Sequence, residues 1–388
     1  MSDFQNLLSS LLRGKKQKHP FSYESAVSSY KNDLQERIFD FERRISDYID
    51  KNNNKLTKSL RRILPSIVKN NKLIISSIDE YLNGNSGKAY DIFEKMMSYK
   101  IISNAIVNLR VELKDICVKP NYLYRVRVSD SQLTSRKEMF HIPFNMRHLV
   151  GSQRYSIAGL PCLYLGSSIY VCWQEMGKPN LDSLYISSYQ LNAKNYEFPK
   201  YVLNFAFSLE IMKKNDVELL FFGSDDNDLS LDKQIAHLTL WPLLMACSYV
   251  KANEKAKFNI EYVIPNMLLQ WIITDAPSVD GIIYLSTKTR QLRQSKIGMN
   301  VVIPPKSSAE KTDENEYCID MAKCFELTNP ISWQVLETIS CKVTEGISDF
   351  GYGDDIEQML LENYNSTSFY RAEKKIESIL TLSTINNV

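Results

Sequence analysis

The hydrophobic pattern of this chain changes period once, at Lys119-Pro120. Upstream, apolar residues return every three or four positions. Downstream, they fall in short runs that mix aromatic and β-branched residues. Such a chain must form a helical unit and then one containing a sheet. Between Ser22 and Asp50, the residues Leu34, Ile38, Phe41, Ile45 and Tyr48 mark one side of an amphipathic helix. Asn52-Asn53-Asn54 ends it, and a second helix over Leu56–Val68 is expected to kink or divide at Pro65. Leu73–Leu82 and Ala89–Leu113 continue the helical pattern on either side of Asn83-Gly-Asn-Ser-Gly87. Residues 1–117 therefore read as a helical N-terminal bundle.

Beyond Pro120 the strand candidates are Tyr122–Val128, Leu160–Gly166, Leu184–Tyr189, Tyr201–Phe207, Gly281–Leu285 and Met299–Ile303. Helical patterns at Leu231–Val250 and Tyr262–Ile273 interrupt them without strict alternation, which predicts an α+β fold with a mixed sheet. Residues 118–330 form this second domain. Residues 331–388 are a C-terminal extension, helical from Asp354 to Leu380, and Cys318–Leu327 gives one last strand.

Composition narrows the function classes. With 47 basic and 45 acidic residues, the chain lacks the electrostatic footprint of a dedicated nucleic-acid binder. Seven cysteines include no Cys-x-x-Cys pair, and with four histidines they offer no zinc spacing. No run of 18 apolar residues suggests a membrane span. The N-terminal residues Phe4, Leu7, Leu8, Leu11 and Leu12, followed by basic Arg13–Lys18, read as a solvated helix. A cytoplasmic protein with reduced thiols is expected. There is no glycine-rich phosphate loop, so phosphates would be held by side chains.

The stretch from Met139 to Gly177 is the densest in chemistry. It holds Arg147, Arg154, several tyrosines and one carboxylate flanked by apolar side chains, Glu175. Leu160–Gly166 reads as a short buried strand, and Ser167 or Ser168 can cap a helix through Ile169, Val171, Cys172 and Trp173. Each residue alone has an ordinary reading. A strand arginine such as Arg125 is usually solvated or paired, and Tyr164 suits a core. His141 suits a turn with Pro143.

In order along the chain, Tyr124-Arg125-Val126, Gln153-Arg154-Tyr155, Gly159, Leu163-Tyr164, Glu175 and Asp280–Ser286 resemble the RES-domain family, named for an arginine, a glutamate and a serine. Glu261–Gln270 resembles the family's helix before that serine, and the match spans roughly residues 120–305. The resemblance implies an ADP-ribosyltransferase-like fold. It also implies an NAD-degrading toxin, glycohydrolase or phosphorylase, that is neutralised by a partner antitoxin. Carried over by position, the catalytic residues are Glu175 and Arg125, and the substrate-binding ones are Arg154, Tyr164 and Ser286. NAD is then a substrate and no cofactor or metal is implied. The front of the chain resembles the HEPN-like helical domains found ahead of RES domains. Its Arg13…His19 spacing matches the HEPN ribonuclease motif but precedes the bundle.

The chemistry suits those residue types. Breaking the nicotinamide–ribose bond develops an oxocarbenium-like sugar, which a carboxylate stabilises. The planar fork of arginine pairs two phosphate oxygens at once. Two alternatives share the residues: transfer of ADP-ribose to a macromolecule, and a binding module whose catalytic site has degenerated. Long segments after Glu175 and after Ser286, and the helical front, depart from the small toxins.

Overall fold

The structure is a computed structural model. It describes residues 2–13, 27–118, 121–192, 198–207, 230–251, 253, 256–274, 276, 278–288, 296–306, 316–339 and 363–385. The Lys119-Pro120 boundary, His19 and the expected helix over residues 354–362 lie outside them.

In chain order the helices are α1 (Asp3–Leu12), α2 (Val27–Lys51), α3 (Lys55–Leu82), α4 (Ser86–Met97) and α5 (Lys100–Leu109). Then come α6 (Lys114–Cys117), α7 (Arg136–Met139), α8 (Ile169–Glu175), α9 (Leu231–Cys247) and α10 (Val263–Thr274). The last three among the described residues are α11 (Ile319–Cys324), α12 (Trp333–Thr338) and α13 (Ser368–Ile379). The strands are β1 (Arg110–Glu112), β2 (Leu123–Val128), β3 (Leu163–Gly166), β4 (Leu184–Leu191) and β5 (Tyr201–Phe205). They continue with β6 (Gly281–Leu285), β7 (Met299–Ile303), β8 (Phe325–Leu327) and β9 (Ile331–Ser332). The fold is α+β.

The chain divides into two compact units. One comprises Met1–Arg110, Gln153–Ile157 and Leu203–Ser278; the other comprises Val111–Ser152, Ala158–Val202 and Val279–Val388.

The first unit is helical. Tyr30, Leu34, Ile38, Phe41, Ile45 and Tyr48 of α2 are buried, as their spacing requires. Asn54 caps α3 by accepting from the Thr57 N–H at 2.8 Å. Pro65 does not divide α3, which runs unbroken over 28 residues. A proline removes one helical hydrogen bond and crowds the preceding turn. Burial of Leu56, Leu60, Ile67, Ile74 and Ile78 along one face holds the helix on both sides of it. Helix α9 is buried all round from Ala236 to Cys247, the pattern of a central helix.

The second unit carries most of the sheet, whose strand order is β1-β5-β6-β7-β3-β2-β4-β8, with β9 on β4. The ladders β2–β3, β2–β4, β3–β7, β4–β8, β4–β9 and β6–β7 are antiparallel. Strand β7 lies between β3 and β6, and all five of its residues are buried. Cys318–Leu327 is not one strand. Residues Ile319–Cys324 form α11, burying Met321, Ala322 and Cys324, and only Phe325–Leu327 enters the sheet. A short apolar run fits either element until tertiary packing decides.

One ladder is unlike its neighbours. Strand β2 pairs with β4 at six positions but with β3 at one, Tyr124↔Gly166. Beyond that point the sheet opens between β2 and β3, and Arg125 stands at the fork.

Candidate active site

Helix α8 follows β3 after a two-residue link. The Ser167 N–H donates to the Met299 carbonyl at 2.9 Å, which ties the link to β7. Ser168 is the N-cap, its Oγ accepting from the Val171 N–H at 3.0 Å and donating to the Ile297 carbonyl at 2.8 Å. Gly166 lets the helix come down on the strand. A Cβ there would sit 2.5 Å from Cys172 Sγ and 2.7 Å from Val171 Cγ1. The helix ends on Glu175, half-buried, in a unit otherwise packed with Ile169–Gln174.

The Glu175 carboxylate is held from one side. Its Oε1 accepts from Ser286 Oγ at 2.6 Å and from Asn300 Nδ2 at 2.8 Å. Its Oε2 accepts nothing from the described residues. Ser286 is fully buried immediately after β6, with its N–H on the Gly298 carbonyl at 2.8 Å and its Oγ also accepting from the Lys288 N–H at 3.2 Å. Asn300 is the one amide in β7 and lies opposite Gly166 on β3 and Tyr284 on β6. Two donors on one oxygen hold a carboxylate in one orientation and leave its other oxygen for a ligand.

Arg125 is unusual in another way. Its Nη1 donates to the Tyr164 carbonyl at 3.1 Å, an acceptor that a longer β2–β3 ladder would have used. Its Nε is buried without a hydrogen-bond partner. Among the described residues no carboxylate pairs with it. Burial pulls its pKa below the usual value, although an arginine remains charged. A buried cation without a counter-ion is costly unless something anionic arrives. Burial pushes the Cys172 thiol on α8 up to about 12, and its Sγ donates to the Tyr124 carbonyl of β2 at 3.2 Å.

Tyr164 sits on β3 with its side chain on the same face as Asn300, since Tyr164 opposes Val302 and Gly166 opposes Asn300. Burial raises its phenol well above the ordinary value, and it stays protonated. His141 is structural. Its Nδ1 donates to the Ile142 carbonyl at 2.8 Å and its Nε2 accepts from the Cys318 N–H at 3.0 Å. Burial lowers its pKa to about 4, so the ring is neutral.

The second unit thus brings together Glu175 and Ser286, and Arg125 with the Tyr164 backbone. Arg154 belongs to the helical unit. It is buried there, with Nη1 on the Cys247 carbonyl, Nη2 on the Tyr249 carbonyl and its guanidinium 5.1 Å from the Tyr262 ring centroid. Cys247 ends α9, so Arg154 supplies positive charge and donors to a helix C-terminus. The residue that the sequence reading missed is Asn300. Its only signal was a lone amide in an apolar strand. Among the described residues no cluster of three or more His, Cys, Asp or Glu could hold a metal, and the six described cysteines are buried.

The chain is 31% identical over 268 residues to a Bacillus subtilis (strain 168) protein named "Putative toxin YopC". The match covers 68% of this chain and 58% of that protein, so the chain spans less than two thirds of its relative's length. No family model matches the chain, and no solved structure matches it. No helix among the described residues is long and apolar enough to cross a membrane.

Proposed function

We propose that the sheet-containing unit is an NAD-consuming enzyme of the glycohydrolase or phosphorylase type, and that the chain acts as a toxin. The observation that carries this reading is the Glu175 carboxylate, anchored through Oε1 with no described donor on Oε2, in the same unit as a buried arginine that has no carboxylate partner among the described residues. Arg125 Nε and its remaining donors would take a pyrophosphate oxygen. The Tyr164 ring offers a wall for the nicotinamide or ribose. Glu175 Oε2 would accept from a ribose hydroxyl and face the anomeric carbon.

In the reaction the nicotinamide–ribose bond breaks heterolytically, and its electron pair leaves with the ring nitrogen, cancelling the positive charge there. The ribosyl carbon becomes cationic. A unit charge about 4 Å from the carboxylate, at an effective dielectric of 20, is stabilised by roughly 4 kcal/mol. That amounts to about three orders of magnitude in rate if felt only in the transition state. Water, or phosphate, then adds to the sugar and loses a proton to solvent. Ser286 serves by holding Glu175. Arg154 enters as a support for the end of α9, because both its Nη atoms already have carbonyl acceptors. The name of the Bacillus relative favours the toxin reading.

The test is product analysis of the purified full chain with NAD, with and without phosphate, beside Glu175→Gln. We expect nicotinamide release, and a drop of roughly a hundredfold or more in kcat for Glu175→Gln with NAD affinity nearly unchanged. Labelled ADP-ribose on protein or nucleic acid would instead identify a transferase. NAD binding without nicotinamide release would identify a binding module.

A further inference from the structure

The Glu175 clamp has two jaws of different chemistry. Ser286 offers a hydroxyl, which can turn to donate or to accept. The Asn300 Nδ2 group can only donate, so its contact is favourable when Glu175 Oε1 is an unprotonated acceptor and is lost when a proton sits there. Asn300 is also the better fixed of the two. It stands inside β7, a strand paired on both sides, with Met299, Val301, Val302 and Ile303 buried around it. A nearly buried amide in so apolar a strand is costly unless it bonds, and its described partner is Glu175 alone. The missing Cβ of Gly166, directly opposite, lets α8 come close enough for the 2.8 Å contact.

We infer that Asn300 is a positioning residue for the reaction, holding Glu175 turned so that Oε2 faces the substrate. This rests on the reading of Glu175 given under the proposed function. Asn300 itself need not touch NAD. Its removal acts on turnover through Glu175, chiefly in kcat.

Two substitutions in the full chain test this. Asn300→Asp keeps size and shape but puts a second carboxylate against the first, and two carboxylates that close share a proton. The acid limb of its kcat–pH profile should move up by about one pH unit or more, with activity recovering toward pH 8. Asn300→Leu removes the donor, and kcat should fall roughly ten- to a hundredfold with KM within about threefold. A purely structural amide predicts profiles that are scaled down equally at every pH. In the substrate-free protein, the Glu175 carboxylate infrared band, assigned by its loss in Glu175→Gln, should disappear at a pH about one unit higher in Asn300→Asp than in the unsubstituted chain.

That infrared measurement needs no turnover. A moved band in a chain that leaves NAD intact would retain the Asn300–Glu175 coupling and sink the NAD chemistry. NAD turnover with an unmoved band and an unmoved acid limb would overturn the Asn300 inference alone. If Asn300→Leu does not fold, Asn300→Asp decides.

Discussion

Gly166→Ala is the sharpest test of how the site is assembled. The added methyl would meet Cys172 Sγ at 2.5 Å, Val171 Cγ1 at 2.7 Å and the Ser168 carbonyl oxygen at 3.3 Å. Carbon contacts are normally 3.5–4.0 Å, so α8 must lift by about 1 Å to make room. The cysteine could rotate away, but valine is stiff at χ1 and the Ser168 oxygen is backbone. Overpacking of this kind costs roughly 1–3 kcal/mol. The larger effect should be on function. Glu175 rides at the end of the same helix, and its contacts at 2.6 and 2.8 Å would stretch toward the limit of a hydrogen bond. A misplacement of about 1 Å at a reacting group can cost ~100-fold in rate.

The assay is urea denaturation together with NAD turnover per folded molecule. Gly166→Ala should lower both, turnover out of proportion to stability. Placed on a Val171→Ala/Cys172→Ala background, which removes the two nearest atoms, the same substitution should cost less than about 1 kcal/mol, a coupling within the range seen for residues in contact. Unchanged stability and turnover in Gly166→Ala would refute the reasoning, as would an equal cost in the relieved background.

Three other expectations follow from the same geometry. Arg125→Lys keeps the charge but loses the fork, so KM for NAD should rise several-fold with melting temperature nearly constant; unchanged kinetics would make Arg125 structural. Arg154→Leu should destabilise the chain by roughly 2–4 kcal/mol, because it leaves the Cys247 and Tyr249 carbonyls without these donors; near-normal denaturation would remove its capping role. Burial raises the Glu373 carboxyl from 4.5 to about 7, so its contribution is full below about pH 4.5 and lost as pH rises through 7. At 1.36 kcal/mol per pH unit that is about 3 kcal/mol, and Glu373→Gln should remove most of it from the stability difference between pH 4.5 and pH 8; the same pH dependence in both proteins would contradict this.

Local signals carried much of the fold. Strands β6 and β7 fall where their apolar runs predict, and Ser168 caps α8 as its position before Ile169 suggests. The period of Leu34, Ile38, Phe41, Ile45 and Tyr48 gives the buried face of α2 directly. What failed was decided at long range. Pro65 reads as a breaker, yet packing on both sides carries α3 through it. Cys318–Leu327 reads as a strand, yet half of it packs as a helix. In the site, Glu175 and Ser286 stand out by type and order. Asn300 does not, because a strand asparagine acquires meaning only when the register places it opposite Gly166 and beneath α8. The opening between β2 and β3 was equally hidden, since nothing in either strand's own residues encodes where the other departs.

The support for Glu175 comes from far down the chain. The apolar side of α8, with Ile169, Tyr170, Val171, Cys172 and Trp173, joins one buried cluster with Trp333, Leu336, Tyr364, Ala372 and Ile376. Phe369 touches Tyr170, Trp173 and Trp333 with ring centroids 5.1–5.5 Å apart, contacts worth roughly 0.5–1.5 kcal/mol each beyond the area buried. Glu373 Oε1 accepts from the Ile169 N–H at 2.8 Å and from the Tyr364 hydroxyl at 2.6 Å, fastening α13 to the first residue of α8. The Tyr124 hydroxyl donates to Glu377 Oε1 at 2.5 Å, so the same helix also grips β2 beside Arg125. Residues 331–388 look like an extension in the sequence, but in the sheet-containing unit the described residues 331–339 and 363–385 pack behind the candidate site. A helix of seven residues cannot hold its own orientation in water. Its aim at Ser286 and Asn300 therefore depends on α12 and α13 as much as on β3, and the last helix sets both elements from which Arg125 and Glu175 project.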